Sequence, residues 1–435
     1  GTTDFDPGPG TYNLTGDGNV FISKLDSSGN FIWAKSFGNP SNLAEGLSIA
    51  LDASGNVYTT GYFVGTIDFD PGPGTYNLTS VNLSDDIFIS KLDASGNFIW
   101  AKSMGGEYLD DGFSITVDAS GNVYTSGRFY GTVDFDPGAG TFNLTSMSNG
   151  DIFISKLDAS GNFDWAKSIG GTLVNSVQSI AVDASGYVYL TGSFNGTADF
   201  DPGPGTHFLT TVGSISNGNS DVFICKLDDS GSFVWARSMG GAFWDGGSSI
   251  YVDSTGVIYT TGFFRGTVDF DPGPGTYYLT SASLYGNFIS KFDSSGNFVW
   301  ASQIGRSGIP SPSFITVDSL NNVYTTGFFE GTADFDPGAG VYNLSSAGGY
   351  DVFVHKMSQG GCQLKATISG RTTVCSGVSE TYTANDEPGA SYNWIVTGGT
   401  IASGTGSHEI TVQWGAGGSG SVEVEEVLNG CTSQR

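Results

Sequence analysis

The run DIFISKLD-ASGN-FIWAKSMGG, residues 86–106, continues after a short loop as SITVD-ASGN-VYTSGRF, residues 114–129. Its four short segments are rich in β-branched and aromatic residues, and each closes at a cluster of Gly, Asn and Ser. That is the composition of β-strands joined by tight turns. Links of four or five residues, with a Gly placed for a left-handed conformation, join such strands as hairpins. The run therefore predicts two hairpins, four antiparallel strands in all. Segments such as FIWA (98–101) and VYTTGYF (57–63) are apolar on both faces. A sheet built from them needs a neighbour against either side.

The same order of segments recurs along the chain. DFDPG begins at Asp4, Asp68, Asp134, Asp199, Asp269 and Asp334, a period of about 65 residues. SI-V-D segments stand at 48–52, 114–118, 179–183, 249–253 and 314–318, and FISKLD-like segments run from Phe21 to Lys356. A four-stranded unit at fixed period is the signature of a propeller blade, whereas solenoid coils are shorter. No segment follows a 3.6-residue period, so helix is expected to be absent. The expected fold is all-β: a β-propeller of four-stranded antiparallel blades over 1–358, then a linker at 359–365 and an immunoglobulin-like β-sandwich over 366–435. Six blades are expected, with seven the alternative. Ring closure requires the last blade to be completed by strands from the other terminus, and the missing strand is expected upstream of Gly1.

DIFISKLDASGNFIWAKSMGG followed by the SITVD and VYTTGYF strands resembles the SBBP-type propeller repeats of bacteria. The resemblance spans about residues 16–358, with DFDPGPGTYNLTS as an insertion whose placement stays open. In the tail, ATISG (366–370) precedes Cys375, while SYNWIV (391–396), which contains Trp394, and HEITVQW (408–414) lie between Cys375 and Cys431. That order is similar to the PKD-like and immunoglobulin-like modules of Bacteroidota surface proteins. The resemblance implies a spacer sandwich, a Cys375–Cys431 bridge and export, often by type IX secretion.

Composition narrows the partners. The chain carries 43 Asp and Glu against 16 Lys and Arg, a net charge of −27. Such a surface repels phosphates and anionic lipid, so no nucleic acid partner and no direct membrane insertion are expected. With 38% hydrophobic residues there is enough apolar material for a folded core. No apolar run approaches the ~20 residues of a membrane span. Three of the four Cys lie in the tail, which suits one structural disulfide in an oxidising compartment. No signal peptide is visible, and Gly1 to Gly10 read as the middle of a repeat, so the chain is expected to be part of a longer exported protein, extracellular or at the cell surface.

The DFDPG element is the candidate for chemistry. In an extended strand its two Asp share one face and its Phe takes the other. Asp4 with Asp6, Asp68 with Asp70, Asp134 with Asp136, Asp199 with Asp201, Asp269 with Asp271 and Asp334 with Asp336 are the possible Ca²⁺ ligands, carbonyls and water completing the shell. The competing and preferred reading has each Asp accept turn amides while the Phe fills the core. Trp33, Trp100, Trp165, Trp235 and Trp300 are read as inter-blade core rather than a sugar-stacking array. The FISK lysines are read as solvated strand-edge residues with weak pairing, and Cys225 as a small buried hydrophobe. His207, His355 and His408 occupy non-equivalent places with no nucleophile or acid beside them in sequence.

Variation collects in the loop after WAKS, the loop before FISK, and the place held by Val64, Tyr130, Asn195, Arg265 and Glu330. Trp244 with Asp245, and Tyr108 with Asp110 and Asp111, are the ligand-contacting candidates there. An active centre is one constellation rather than six, and no such motif breaks the repeat. The expected function is a non-catalytic adhesion, scaffolding or assembly module, whose partner is a surface or extracellular protein or glycan, or secretion and anchoring machinery. The alternatives are a polysaccharide hydrolase or lyase, and a secretion passenger whose function lies further downstream.

Overall fold

The computed structural model describes residues 1–16, 20–38, 41–147, 150–171, 173–213, 219–281, 284–305, 311–338, 340–358, 368–384, 390–415, 417, 419–428 and 431–432. Two compact units emerge: Gly1–Thr316 with Thr325–His355, and Val317–Tyr324 with Lys356–Arg435.

The first unit is a succession of antiparallel sheets. Its complete sheets run, for example, Ala44–Leu51, Val57–Phe63, Asp86–Leu92, Phe98–Gly106, and then Asp111–Val117, Val123–Phe129, Asp151–Leu157, Phe163–Gly171. Two more of the same kind start at Asn175 and Gly246. Each sheet thus opens on the SI-V-D strand and ends on the WAKS strand. The consecutive hairpins 86–106 and 111–129 therefore belong to different sheets. The frame is offset by half a period from the order in which the sequence displays it.

Neighbouring sheets pack face to face with a repeated register. The hydroxyl of the SI-V-D serine accepts the amide of the corresponding isoleucine in the following sheet: Ser48 from Ile115 at 3.2 Å, Ser114 from Ile180 at 3.2 Å, Ser179 from Ile250 at 3.3 Å and Ser249 from Ile315 at 3.3 Å. Around each contact an apolar layer forms. Ile87, Ile89, Trp100 and Met104 of one sheet meet Ile115, Phe153 and Leu157 of the next. Burying each such side chain contributes roughly 1.5–3 kcal/mol. This explains why the third strand is buried at every position in Asp86–Leu92, Asp151–Leu157 and Asp221–Leu227.

The DFDPG insertion makes a small hairpin, such as Thr132–Asp134 with Asn143–Thr145. In sequence it lies between the second and third strands of one sheet. In space it pairs with the fourth strand of the preceding sheet, Gly105 opposite Asp134 and Gly106 opposite Val133. The register repeats as Gly170 opposite Asp199 and Gly240 opposite Asp269. At these three boundaries the insertion is a clip to the preceding sheet, whereas the hairpins at 66–79 and 332–345 form separate two-stranded sheets.

Closure into a ring of six or seven blades is not formed among the described residues. The first sheet holds only Val20–Leu25 and Phe31–Phe37, and the last repeat contributes Ser311–Val317, Asn322–Phe329 and Asp351–Ser358 without a WAKS-type fourth strand. Each terminal face therefore lacks the neighbour that internal faces have. Ile49 is 56% exposed, whereas its counterparts Ile115, Ile180 and Ile250 are 5% exposed.

In the second unit, Ser379–Thr383, Glu409–Trp414 and Gly399–Ser403 form one sheet, and Ser391–Thr397, Ser421–Leu428 and Cys431–Thr432 another. Tyr382, Trp394, Ile410, Val412 and Val424 fill the core between them. Trp394 satisfies its indole N–H on the Ser407 carbonyl at 2.8 Å.

Candidate functional site

Each DFDPG carboxylate is committed to its own hairpin. Asp134 Oδ1 accepts the amides of Asp136 at 3.1 Å and Phe142 at 2.8 Å, and Asp136 Oδ1 accepts that of Gly138 at 2.8 Å. The same bonds recur for Asp4 and Asp6, Asp68 and Asp70, Asp199 and Asp201, Asp269 and Asp271, and Asp334 and Asp336. The reason is local: an extended Asp-x-Asp running into Pro-Gly leaves turn amides without strand partners, and the carboxylates take them. The intervening Phe69, Phe135, Phe200 and Phe270 are fully buried, each within 5.1 Å of a third-strand Phe ring.

The commitment of each Oδ1 to turn amides supports the turn-capping reading over calcium. The cation needs six to eight oxygens with lone pairs aimed at it, and here an Oδ1 already faces two amide hydrogens. Among the described residues no three His, Cys, Asp or Glu side chains come together as a metal cage. The expected result is a melting temperature unchanged within about 1 °C between EGTA and millimolar Ca²⁺. A rise of several degrees on adding Ca²⁺ contradicts the assignment.

The two ends of the sheets differ. One end carries the D-A-S-G-N turns, where a single Asp organises everything: Asp118 Oδ1 accepts the amides of Ser120 and Asn122, and its Oδ2 takes the Asn122 side-chain amide and the Tyr124 hydroxyl. In the turns of Asp93 and Asp158, hydrogen bonds from Asn97 and Asn162 to the ionised form hold the carboxyls below their usual range.

At the other end the three variable places of the sequence converge. The Tyr130 amide donates to Asp110 Oδ1 at 3.0 Å, and Ser84 Oγ donates to the Gly106 carbonyl at 3.1 Å. Large apolar side chains point outward there: Trp244 is 51% exposed and Tyr108 58%, with Phe243, Leu109 and Met147 exposed as well. Arg265 stacks its guanidinium over the Phe243 ring at 4.8 Å.

Their acidic neighbours turn inward instead. Asp245 is fully buried, accepting the amides of Gly241 and Arg265 at 2.8 and 2.9 Å, and burial pushes its carboxyl up to about 8. Asp110 is buried alike and raised to about 7. The pairing of Trp244 with Asp245, or of Tyr108 with Asp110, as joint ligand contacts is therefore corrected: the acid anchors the loop from below and only the aromatic is presented. Asp111 is engaged by Arg128 at 3.3 Å.

A second layer of buried acids went unread in the sequence. Asp86 and Asp221 open their third strands, each giving Oδ2 to one loop amide while Oδ1 has no hydrogen-bond partner, and burial raises both to about 7. The signal was the Gly-Gly after WAKS. A Cβ at Gly105 would meet the Asp86 carboxyl carbon at 2.1 Å, and one at Gly106 the Thr132 carbonyl at 2.6 Å.

Lys24, Lys91, Lys156 and Lys226 are stitches between sheets rather than solvated edges, whereas Lys356 in the last repeat is exposed as expected. Lys91 and Lys156 are 8% and 5% exposed and donate to the carbonyls of Ala159 and Asp229 in the following sheet. Lys156 also pairs with the Asp229 carboxylate at 2.6 Å. The Lys91 ammonium, 4.8 Å from the centre of the Tyr58 ring and largely shielded from water, takes the backbone oxygen instead. Trp33 and Trp165 donate to the same carbonyls as Lys24 and Lys156, and Trp100 and Trp235 are buried.

Among the histidines, His207 stacks on Phe233 at 4.8 Å just as Tyr76 stacks on Phe98 at 4.9 Å, so it fills a structural place. Burial lowers His355, whose Nδ1 lies 3.4 Å from Thr325 Oγ1. His408 lies against Tyr392. Cys225 is fully buried, as its strand position predicts. The Cys375 thiol is free and exposed, so the implied bridge to Cys431 is not made at this end; the Cys431 side chain lies outside the described residues. One cleft of about 540 Å³ brings His207, Arg237 and Asp271 to a common wall. There Asp271 holds its own turn amide and His207 is stacked.

These features define an all-β repeat protein followed by a PKD-like domain. Residues 362–435 match the PKD-like domain family. Residues 6–41, 70–101 and 271–307 match the sperm-tail PG-rich repeat, each match starting at or just after the second Asp of DFDPG. The chain is 26% identical over 359 residues to an uncharacterised WD repeat-containing protein of Acanthamoeba polyphaga mimivirus, covering 71% of this chain and 26% of the relative. It is 24% identical over 210 residues to the regulatory protein FlaEY of Caulobacter vibrioides, covering 47% and 21%. The chain thus spans about a quarter or less of the curated relatives it matches. A solved protein of unknown function from Bacteroides caccae aligns at a TM-score of 0.25 and 10% identity, over 67% of this chain and 92% of that one.

Proposed function

We propose that this chain is a non-catalytic recognition and scaffolding module of an exported, extracellular or cell-surface protein. Its variable loop end engages a protein or glycan, and the PKD-like domain serves as a spacer. The observation that supports this most is the division of labour at that end. Rigid sheets and inward-anchored aspartates hold the loops, while Trp244, Phe243 and Tyr108 stand exposed and differ from repeat to repeat. Exposed aromatics on a fixed scaffold supply contact area at small entropic cost.

The test immobilises the chain and scores retention of purified extracellular-matrix proteins and polysaccharides, comparing it with a Trp244→Ser, Phe243→Ser, Tyr108→Ser variant. The expected outcome is at least a tenfold loss of retention with an unchanged melting temperature. Retention unaffected by the triple substitution contradicts the reading. The cleft at His207, Arg237 and Asp271 is where the second reading, a polysaccharide hydrolase or lyase, would act. Release of reducing ends that vanishes in His207→Ala establishes that reading in place of the first.

A further inference from the structure

At three successive boundaries the WAKS lysine lies across a turn of the following sheet. A Cβ at Gly96 would meet Lys35 Cε at 3.0 Å, one at Gly161 would meet Lys102 Cε at 3.1 Å, and one at Gly231 would meet Lys167 Cε at 3.0 Å. Arg237 holds the next of these places and behaves differently. The nearest atoms to a Cβ at Gly296 belong to the Trp235 ring, at 3.0 Å. The Arg237 side chain folds back, its Nη1 donating to the Ala236 carbonyl at 3.0 Å and its guanidinium lying 5.6 Å from the Trp235 ring. With that cover withdrawn, the ground beside the Gly296 turn becomes the cleft of about 540 Å³. A second departure from the repeat faces the same cleft: His207 stands where Tyr76 and Phe142 stand in the two hairpins before it.

Asp271 lines this cleft too. Its Oδ1 takes the Gly273 amide at 2.8 Å, while its Oδ2 has no hydrogen-bond partner among the described residues. Arg237 and Asp271 make no ion pair with each other among the described residues. We propose that the cleft binds an uncharged sugar unit of a polysaccharide. A permanently charged donor and a carboxylate acceptor that do not neutralise each other answer neighbouring hydroxyls of one pyranose ring. One hydroxyl accepts from the guanidinium and the next donates to Asp271 Oδ2, both as charge-assisted hydrogen bonds. Leu209, Pro272 and Phe298 supply apolar ground for the C–H face of the ring. The volume lies within the range of small-molecule sites, about 300–1,000 Å³. Arg237 opposes a cationic ligand, and the net charge of −27 opposes an anionic one. The inference concerns binding alone. It rests neither on the loop-end recognition reading, which uses other residues, nor on cleavage.

Saturation-transfer NMR titrations up to about 1 mM sugar test it. Cellohexaose, mannohexaose and xylohexaose are the neutral probes, and hexagalacturonic acid is the charged one. The expected result is binding of at least one neutral probe, in preference to hexagalacturonic acid. Arg237→Lys returns the residue that covers the turn at the other boundaries. Asp271→Asn keeps an oxygen for the Gly273 amide and removes the carboxylate acceptor. Each should weaken binding about tenfold or more with an unchanged melting curve. The Trp244→Ser, Phe243→Ser, Tyr108→Ser variant should bind the probe as the wild type does, which separates this site from the loop end. Absence of binding by every neutral probe overturns the inference, and so does binding that persists in both cleft variants. Preference for hexagalacturonic acid overturns it as well, since the site would then be one for anions at Arg237.

Discussion

The melting temperature is expected to be highest near about pH 4, to fall as the pH is raised from there to about 7–8, and to level off above. Asp86, Asp110 and Asp221 have carboxyls raised to about 7, and Asp245 to about 8, because burial penalises the charged form. In the unfolded chain they titrate near 3.8. Below about pH 4 both states hold these protons and the folded state carries no penalty; between these values the unfolded chain releases protons that the folded state keeps, so stability falls with each pH unit. The loss is complete, and levels off, once the pH has passed about 7–8 and the buried groups ionise in both states. The turn aspartates act in the opposite sense: their lowered carboxyls, Asp318 reaching about 2, stabilise at neutral pH and fail only in strong acid.

The loss between about pH 4 and pH 8 is on the order of 2 kcal/mol per buried carboxyl, or roughly 10 °C in total. Asp86→Asn with Asp221→Asn is expected to remove about half of it, raising the melting temperature at pH 8 and leaving it nearly unchanged at about pH 3.5. In the following sheet the same strand position holds Gly286, so one sheet already does without the carboxyl. A flat pH profile in the wild type, or a double variant that melts lower at pH 8, contradicts the assignment.

The second large effect is expected at the Gly-Gly that follows WAKS. In Gly240→Ala the new Cβ falls 2.0 Å from the Asp221 carboxyl carbon, and in Gly241→Ala 2.6 Å from the Thr267 carbonyl oxygen. Neither neighbour can retreat: Asp221 is tied to the Val212 amide at 2.8 Å, and Val268 is paired opposite Gly241. Each substitution should cost about 3 kcal/mol or more in urea unfolding. Gly349→Ala, where a Cβ meets nothing within 4 Å, should fall within about 0.5 kcal/mol of wild type. Equal costs at Gly240 and Gly349 contradict the packing described for the clip.

Strands, turns and the all-β class were legible because their causes are local. Period, β-branched runs and Gly-Asn turns act over a few residues, and so does the Asp-x-Asp that caps its own hairpin. What stayed hidden depends on partners about 65 residues away. Nothing near Asp134 says that its strand pairs with Gly105 of the preceding sheet, so the insertion had no predicted place. Lys91 reads as a strand-edge cation until Tyr58 and the Ala159 carbonyl are brought to it. The half-period offset was invisible because either framing of the hairpins gives four strands per unit. Ring closure was inferred from the need of two-sided sheets for neighbours, which is sound for every internal sheet. It says nothing about the outermost ones, where Ile49 and Val352 remain exposed.

The central claim is that the DFDPG hairpins at 132–145, 197–210 and 267–280 are clipped to the sheets before them. Native-state hydrogen exchange at Thr132–Asp134, Thr197–Asp199 and Thr267–Asp269 tests it directly. These amides should exchange roughly a hundredfold more slowly than free loop amides, and Gly240→Ala should accelerate exchange at Thr267–Asp269 while sparing Thr132–Asp134. Exchange of all three segments at loop rates in the wild type would show the insertions hanging free of the preceding sheets.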